Sequence, residues 1–347
     1  MAEKICISDE AKKFYIPTYE SLRKLVLKTY VESTKVPRSL YRQGKERVSI
    51  MRYLIKCERI FSLLAGNLGR VARLPRTNTM PKFYAEIVKL GVGEYYDETI
   101  VRAMKGTRIL TKLWRDYRKI ILTSSTKYEA KKYAQEFVGR ALSVTRRVLR
   151  YADKAAEAVK LLRESPCIDE TIPIIIVAGM PQVGKSTLVS KVSSAKPEIS
   201  PFPFTTKKAI LGHGTIDSIY YQVIDTPGIL DRPFNEMNQI ERKAIAVLRS
   251  LDAPIIFLID PTSDSYYALD SQIRVLKDIM TIRETKYILP TINKIDKARE
   301  NELKRAKNAI ENLGFSKIFT ISALKGINVW NLIKRAINLS LEMKRSI

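Results

Sequence analysis

Ile174-Ile175-Ile176-Val177-Ala178, then Gly179-Met180-Pro181-Gln182-Val183-Gly184-Lys185-Ser186, then Thr187-Leu188-Val189-Ser190-Lys191-Val192, decide the fold of the second half of the chain. The first five residues are apolar and mostly β-branched, the pattern of a short buried strand. The last six carry a helical spacing. Between them lies GxxxxGKS, a phosphate-binding loop in its strand–loop–helix setting. Gly179 and Gly184 let backbone N–H groups converge on phosphate oxygens, with Pro181, Gln182 and Val183 completing the cradle. The helix that starts at Lys185 and runs through Thr187 adds its positive end. Lys185 is placed to reach the β and γ phosphates, and the Ser186 hydroxyl to ligate Mg²⁺.

Four further signals accompany it downstream. Tyr220 to Ile224 reads as a strand ending in Asp225-Thr226-Pro227-Gly228. A carboxylate there can hold Mg²⁺, and the Gly228 N–H can bond a γ-phosphate and let it go after hydrolysis. Before it, Pro201-Phe202-Pro203-Phe204-Thr205-Thr206-Lys207-Lys208 offers two threonine hydroxyls, Thr205 and Thr206, to the same cation. Lys185, Thr206 and Gly228 are the candidate catalytic groups; Ser186, Thr206 and Asp225 are the candidate metal ligands. After a strand at Tyr287–Thr291 comes Asn293-Lys294-Ile295-Asp296. The Asp296 carboxylate can accept from guanine N1–H and its exocyclic amine together, a donor pair adenine lacks. The Lys294 stem can cover the base face, and Asn293 can brace the loop and meet the purine edge. Ser322, Ala323 and Leu324 follow the last strand, where backbone amides can meet guanine O6.

Outward from these motifs, short β-branched runs alternate with helical stretches to the end of the chain. That rhythm predicts a mainly parallel, doubly wound sheet. The first half has another texture. Ile109, Leu110, Leu113, Tyr117, Ile120 and Ile121 recur at helical spacing, and a second such segment runs over residues 127–162, with a break near Gly139 or Tyr151. The expected architecture is α + α/β: an antiparallel helical bundle over residues 1–168, then a P-loop GTPase domain over 169–347.

Charge separates the halves too. The 347 residues carry 61 Lys+Arg against 36 Asp+Glu, a net +25. Residues 1–170 hold 36 basic and 19 acidic side chains, so about two-thirds of the excess lies in the helical half. Such a field attracts nucleic acid or an anionic surface. Arg70, Arg73 and Arg76, Arg115, Arg118 and Lys119, and Arg146, Arg147 and Arg150 are the candidate RNA-facing patches. Cys6, Cys57 and Cys167 are far apart with no CxxC pair, which predicts neither a disulfide framework nor a zinc cluster and fits a reducing compartment. His213 is the single histidine, excluding multi-histidine metal sites. It follows the threonine loop and is read as structural or partner-facing rather than as a base. No apolar run approaches the length of a membrane span. A signalling or membrane-surface GTPase would share the nucleotide motifs, but Ala2 rejects myristoylation and residues 344–347 contain no prenylation cysteine.

Together the motifs resemble those of Obg-like GTPases, and within them the nucleolar GTP-binding protein 1 family. The resemblance rests on Asp225 to Pro233 with Asn238-Gln239-Ile240-Glu241, on Pro203 to Lys207, on Gly212-His213, and in the first half on Met80-Pro81-Lys82-Phe83-Tyr84 and the Leu110–Ile121 stretch. It implies a GTPase with Mg²⁺ that acts in assembly of the large ribosomal subunit, with rRNA and ribosomal proteins as partners. Ending one helix after Gly326, the chain resembles the short archaeal form, which implies a cytoplasmic protein; a monomer is expected. Two positions depart from better-known GTPases. Gln182 stands where the family commonly has the Asn linked to potassium activation, so potassium stimulation is not predicted. Ile229 stands where Ras-like enzymes place a water-orienting Gln, which predicts slow intrinsic hydrolysis.

Overall fold

The computed structural model describes residues 6–226 and 230–345. In chain order the helices are α1 (Ile7–Ala11), α2 (Tyr19–Val31), α3 (Lys45–Ala72), α4 (Lys82–Val92), α5 (Tyr95–Leu122), α6 (Lys127–Val148), α7 (Ala152–Arg163), α8 (Lys185–Val192), α9 (Gln239–Arg249), α10 (Leu269–Ile282), α11 (Glu300–Glu311) and α12 (Val329–Arg345). The strands are β1 (Ile174–Ala178), β2 (Glu198–Pro201), β3 (Lys208–Ile216), β4 (Ile219–Asp225), β5 (Ile255–Ile259), β6 (Ile288–Ile292) and β7 (Phe319–Thr320). They belong to two compact units that interleave in sequence. One comprises residues 10–80 and 88–161; the other takes 81–87 and everything from 162 onward, together with the N-terminal segment up to Asp9.

The first unit is a helical bundle. Arg47 of α3 donates to the Leu122 carbonyl at the end of α5 (3.0 Å), so these two helices run antiparallel. Four residues turn the chain from α5 into α6, again antiparallel. The core is built from Leu54, Ile60, Leu64 and Leu68 of α3, Leu110, Tyr117 and Ile121 of α5, and Ala134, Phe137 and Ala141 of α6, all buried. Trp114 lies between Phe61 and Phe137, with ring centroids 5.8 and 5.4 Å away. Not every apolar residue of α5 faces inward: Ile109 is 53% and Ile120 39% exposed. Neighbouring positions are about 100° apart on a helix, so Ile109 and Ile120 form a stripe beside the buried Leu110–Ile121 stripe. The expected break in the long segment falls at a 3₁₀ turn over Leu149–Tyr151, while Gly139 stays helical.

The second unit is an α/β fold. Its sheet runs β2-β3-β4-β1-β5-β6-β7; β4, β1, β5, β6 and β7 are parallel, and on one side β3 pairs antiparallel with both β4 and β2. The sequence pattern gives the parallel strands to within about two residues and misses β2 and β3. In β3, Gly212 and Gly214 interrupt the β-branched pattern. They are there because α8 passes close: a Cβ on Gly214 would sit 2.7 Å from the Val192 carbonyl oxygen. The β1, β4, β5 and β6 strands all end on one edge, where a doubly wound sheet places its ligand.

The interleaving has named contacts. The Glu170 carboxylate accepts from Phe83 N (2.7 Å) and Lys82 N (3.1 Å), capping the free amides at the start of α4. The Tyr84 hydroxyl donates to Pro166 O (3.0 Å) and accepts from Ile168 N (2.9 Å). Burial pushes its pKa up to about 12, so it remains a donor. Phe83 meets Phe202 edge to face at 6.0 Å, and Lys82 pairs with Asp252 at 2.9 Å. Residues 81–87 therefore pack with the nucleotide unit although they precede residue 168.

The cysteine expectation is corrected. Cys6 and Cys167 form a disulfide, with Cα atoms 5.6 Å apart and a sequence separation of 161. Spacing along the chain carries no information about approach in space, which is why the pair was not legible. Cys57 is a buried free thiol whose pKa burial pushes up to about 12. Denatured without reductant, the protein is expected to alkylate at Cys57 alone; after reduction all three cysteines react. Three adducts without reductant, read by mass spectrometry, would refute the bond.

Candidate nucleotide site

The site collects at the C-terminal ends of the parallel strands. The loop after β1 is sharply turned: Gly179, Gln182 and Gly184 all have positive φ, at 137°, 65° and 101°. At Gly184 the glycine has a second reason, because a Cβ would collide with Asn293 Nδ2. Asn293 follows β6. Its Nδ2 donates to Val183 O (2.8 Å), and its Oδ1 accepts from Ala323 N (2.9 Å). The side chain is buried and thus ties the phosphate loop, the Asn293–Asp296 turn and the Ser322–Leu324 loop together. The sequence suggests for Asn293 both bracing of the loop and a contact with the purine edge; in the structure both of its polar atoms are engaged in bracing.

Lys185 is 7% exposed, and its Nζ donates to Gly179 O (2.8 Å) and Met180 O (2.9 Å). Two of the three ammonium donors are thereby spent inside the loop, leaving one for a ligand. Burial lowers its pKa, opposed by the carboxylates of Asp225 and Asp231. Ser186 Oγ donates to Asp225 Oδ2 (2.8 Å). Asp225 is fully buried at the end of β4, and burial raises its pKa against the Ser186 bond and the Lys185 charge. Its other oxygen, Oδ1, is buried with no hydrogen-bond partner among the described residues. A buried carboxylate oxygen without a donor is costly unless a cation takes it up. Ser186 and Asp225 therefore fit Mg²⁺ by their own chemistry.

Other sequence candidates stand apart. Thr205 Oγ1 accepts from Lys207 N (3.0 Å), closing a local turn, and Thr206 is exposed. Neither is hydrogen-bonded to Ser186 or Asp225 among the described residues. Gly228 and Ile229 lie outside the described residues. His213 sits within β3 opposite Gln222, its Nε2 2.8 Å from Gln222 Nε2. Gln222 Oε1 accepts from Asp169 N, which fixes its Nε2 as the donor, so the histidine accepts. Gln222 is three residues before Asp225, about 10 Å along the strand. His213 thus belongs to the sheet and not to the phosphate loop.

Beside the loop a cleft of about 400 Å³ opens between Gly184, Thr187, Lys294, Asp296 and Ser322–Leu324 on one side and Thr262–Asp264 and Arg299 on the other. Asp296 Oδ1 accepts from Ser322 Oγ at 2.7 Å, and this bond holds the carboxyl below the usual carboxylate range. The group is therefore ionised at neutral pH, as an acceptor for a paired N–H donor must be. Lys294 takes a left-handed backbone, φ 60°, and pairs through Nζ with Asp260 at the end of β5. No motif announced Asp260, which pairs with the cleft residue Lys294, or Glu302, which lines the cleft and accepts from Ser263 N and Arg299 N, both at 2.8 Å. A carboxylate one residue past a buried strand was the available signal for Asp260.

Two family models match the chain: the NOG1 N-terminal helical domain over residues 18–169, and a 50S ribosome-binding GTPase over residues 174–294. An uncharacterized protein of Methanocaldococcus jannaschii is 36% identical over 251 residues, covering 72% of this chain and 70% of its own length. The nucleolar GTP-binding protein 1 of Drosophila melanogaster is 29% identical over 237 residues, 68% of this chain. The alignment spans only 36% of that relative's length. A crystal structure of nucleolar GTP-binding protein 1 from Plasmodium falciparum is 27% identical, covering 52% of this chain and 92% of that one, with a TM-score of 0.44.

Replacing Gly184 by Ala would force an L residue into positive φ and drive its Cβ into Asn293; GDP affinity, read by titration calorimetry, is expected to fall at least about tenfold. A His213→Ala variant is expected to hydrolyse GTP at the wild-type rate within about twofold, since the imidazole is bonded to the sheet. A larger loss, measured as phosphate release, would return His213 to the chemistry.

Proposed function

The chain belongs to the nucleolar GTP-binding protein 1 family of Obg-like GTPases, and from that membership we propose that it is a ribosome-assembly factor of the cytoplasm. It docks on the precursor of the large ribosomal subunit and uses GTP hydrolysis as a switch. The observation that carries the docking half is the state of the basic side chains. Arg70, Arg73, Arg76, Arg115, Arg118, Lys119, Arg146, Arg147 and Arg150 are all exposed. None of the nine is ion-paired among the described residues. A solvated face would serve solubility with balanced charge; unpaired guanidinium groups are suited to phosphate.

In the nucleotide unit, the loop over Gly179, Pro181, Gln182, Val183 and Gly184 offers the N–H groups of its non-proline residues to the phosphates, with Pro181 shaping the turn and Thr187 at the first turn of α8. The remaining donor of Lys185 is available to the β- and γ-phosphate oxygens. Ser186 and Asp225 would hold Mg²⁺, which when bound neutralises charge developing on the phosphates. Thr206 reaches that cation only if the 201–207 loop shifts, which is how such a loop senses the γ-phosphate. Thr205 is the less suitable of the two, its hydroxyl being engaged by Lys207 N. Gly228 is assigned the γ-phosphate contact on sequence grounds. Asp296 reads guanine through the oxygen edge that Ser322 orients, and Ser322, Ala323 and Leu324 close the base edge. Potassium has no assigned part, because Gln182 replaces the asparagine. With Ile229 following Gly228, intrinsic hydrolysis is slow, and a partner on the ribosomal particle completes the site. We take the working form to be a monomer.

Replacing Arg115, Arg118 and Lys119 together by Ala in the full chain is expected to lower rRNA affinity about tenfold or more at 0.1 M salt. It should also flatten the slope of log affinity against log salt by about 2, because each lost phosphate contact removes released counterions. An unchanged slope, measured by filter binding, would refute docking through that helix. Capture of large-subunit rRNA from a lysate with a non-hydrolysable GTP analogue or with GDP tests the assignment as a whole; recovery with neither would overturn it.

A further inference from the structure

Lys294 of the cleft is held by a residue that the motifs do not account for. Asp260 lies one residue beyond β5, with its side chain 2% exposed. Its backbone is clamped: Asp260 N donates to Gln272 Oε1 and Gln272 Nε2 donates back to Asp260 O, each at 2.9 Å. Gln272 is itself fully buried in α10. Its carboxylate is clamped as well, because Oδ1 accepts from Thr262 N (3.1 Å) and Thr262 Oγ1 (2.7 Å). Only Oδ2 remains, and it is given to Lys294 Nζ at 2.5 Å. Strand register explains the meeting. Ile259 of β5 lies opposite Ile292 of β6, and Asn293 N donates to Ile259 O (2.8 Å), so the residues just past both strands are neighbours.

The consequence concerns the Lys294 stem. A lysine has four rotatable side-chain bonds and on a surface would sample many rotamers. Here its charged end is held by a carboxylate that is fixed at every other atom, and the stem between them lines the cleft. We propose that Asp260 is a positioning residue for guanine-nucleotide binding. It fixes Lys294 in advance so that the stem forms a ready wall against the base, and the ordering of that side chain is complete before the nucleotide arrives. The residue touches no substrate atom and acts through Lys294. The proposal rests on the reading that this cleft takes the guanine base.

A double-mutant cycle on the full chain tests it, with GDP affinity as the readout: wild type, Asp260→Asn, Lys294→Met and the double variant. Methionine keeps the length of the stem and removes its donor. Each single change is expected to weaken GDP about tenfold, about 1.4 kcal/mol. The double variant should be no weaker than either single one within about twofold, since each removes the same hold. A merely structural Asp260, supporting the turn at Thr262, predicts the opposite: its cost persists in the Lys294→Met background and the effects multiply. Multiplying effects, or an Asp260→Asn variant with wild-type affinity, would overturn the proposal. If Asp260→Asn does not fold, Lys294→Met decides alone, and unchanged GDP affinity refutes it.

The base assignment is read separately. Inosine diphosphate lacks the exocyclic amine, so the GDP-to-IDP affinity ratio reports Asp296. Asp260→Asn should leave that ratio unchanged while lowering both affinities. Asp296→Asn should collapse it. A ratio indifferent to Asp296→Asn overturns the guanine reading of the cleft, and the cycle on GDP affinity still decides the coupling of Asp260 to Lys294.

Discussion

The buried amide of Asn293 is the constraint on which the nucleotide unit depends. One side chain, through two hydrogen bonds, joins a carbonyl of the phosphate loop to an amide of the Ser322–Leu324 loop. The three segments come from the ends of β1, β6 and β7, separated by 110 and 30 residues along the chain. Each is irregular backbone, and irregular backbone needs partners for its polar groups. The amide supplies partners to two of these segments while belonging to the third. The tightness of the arrangement dictates Gly184, whose missing Cβ is the space the amide occupies. A motif residue usually described by its contact with a base is here first a fastening between loops.

Electrostatics in the phosphate loop follow from the same compactness. Lys185 and Asp225 are both buried, and burial shifts each toward its neutral form. Their mutual attraction, the two loop carbonyls on Lys185 and the Ser186 hydroxyl on Asp225 counter that shift. Among the described residues, what is left over is one ammonium donor and one carboxylate oxygen. Those two surpluses have opposite sign and suit opposite parts of a magnesium–phosphate ligand. The site is thus described by what its own hydrogen bonds leave unsatisfied rather than by the number of charges in it.

Much of this was legible in the sequence because the motifs are local. A phosphate loop is contiguous, its glycines and lysine have fixed spacing, and its flanking strand and helix have distinct periods. Asp225 and Asp296 end or follow strands, so their places on the sheet edge could be read from pattern alone. What escaped reading depended on partners distant in sequence. The strand β3 was hidden by Gly212 and Gly214, which answer to the approach of α8. Asp260 answers to Lys294, and Cys6 to Cys167. Ile109 and Ile120 share the helical spacing of the buried residues, and spacing identifies a helix without saying which of two adjacent stripes is covered. The Phe83–Tyr84 segment was read with the helices on either side of it, whereas Glu170 and Phe202 fix it elsewhere.

That last segment bears on the order in which the chain acquires structure. Domains ordinarily fold as units during synthesis, the N-terminal one first. Here the nucleotide unit includes residues 81–87, made long before the partners that bury them. Phe83, Tyr84 and Ile87 are fully covered in the finished protein, yet Glu170, Pro166, Ile168 and Phe202 emerge from the ribosome some eighty or more residues later. Until then, Phe83 and Tyr84 at the head of α4 lack partners that meet them in the finished protein. A nascent chain of this kind carries a sticky segment through a long stretch of its own translation, in the middle of the helical half. Completion of the GTPase fold is the event that retires the hazard.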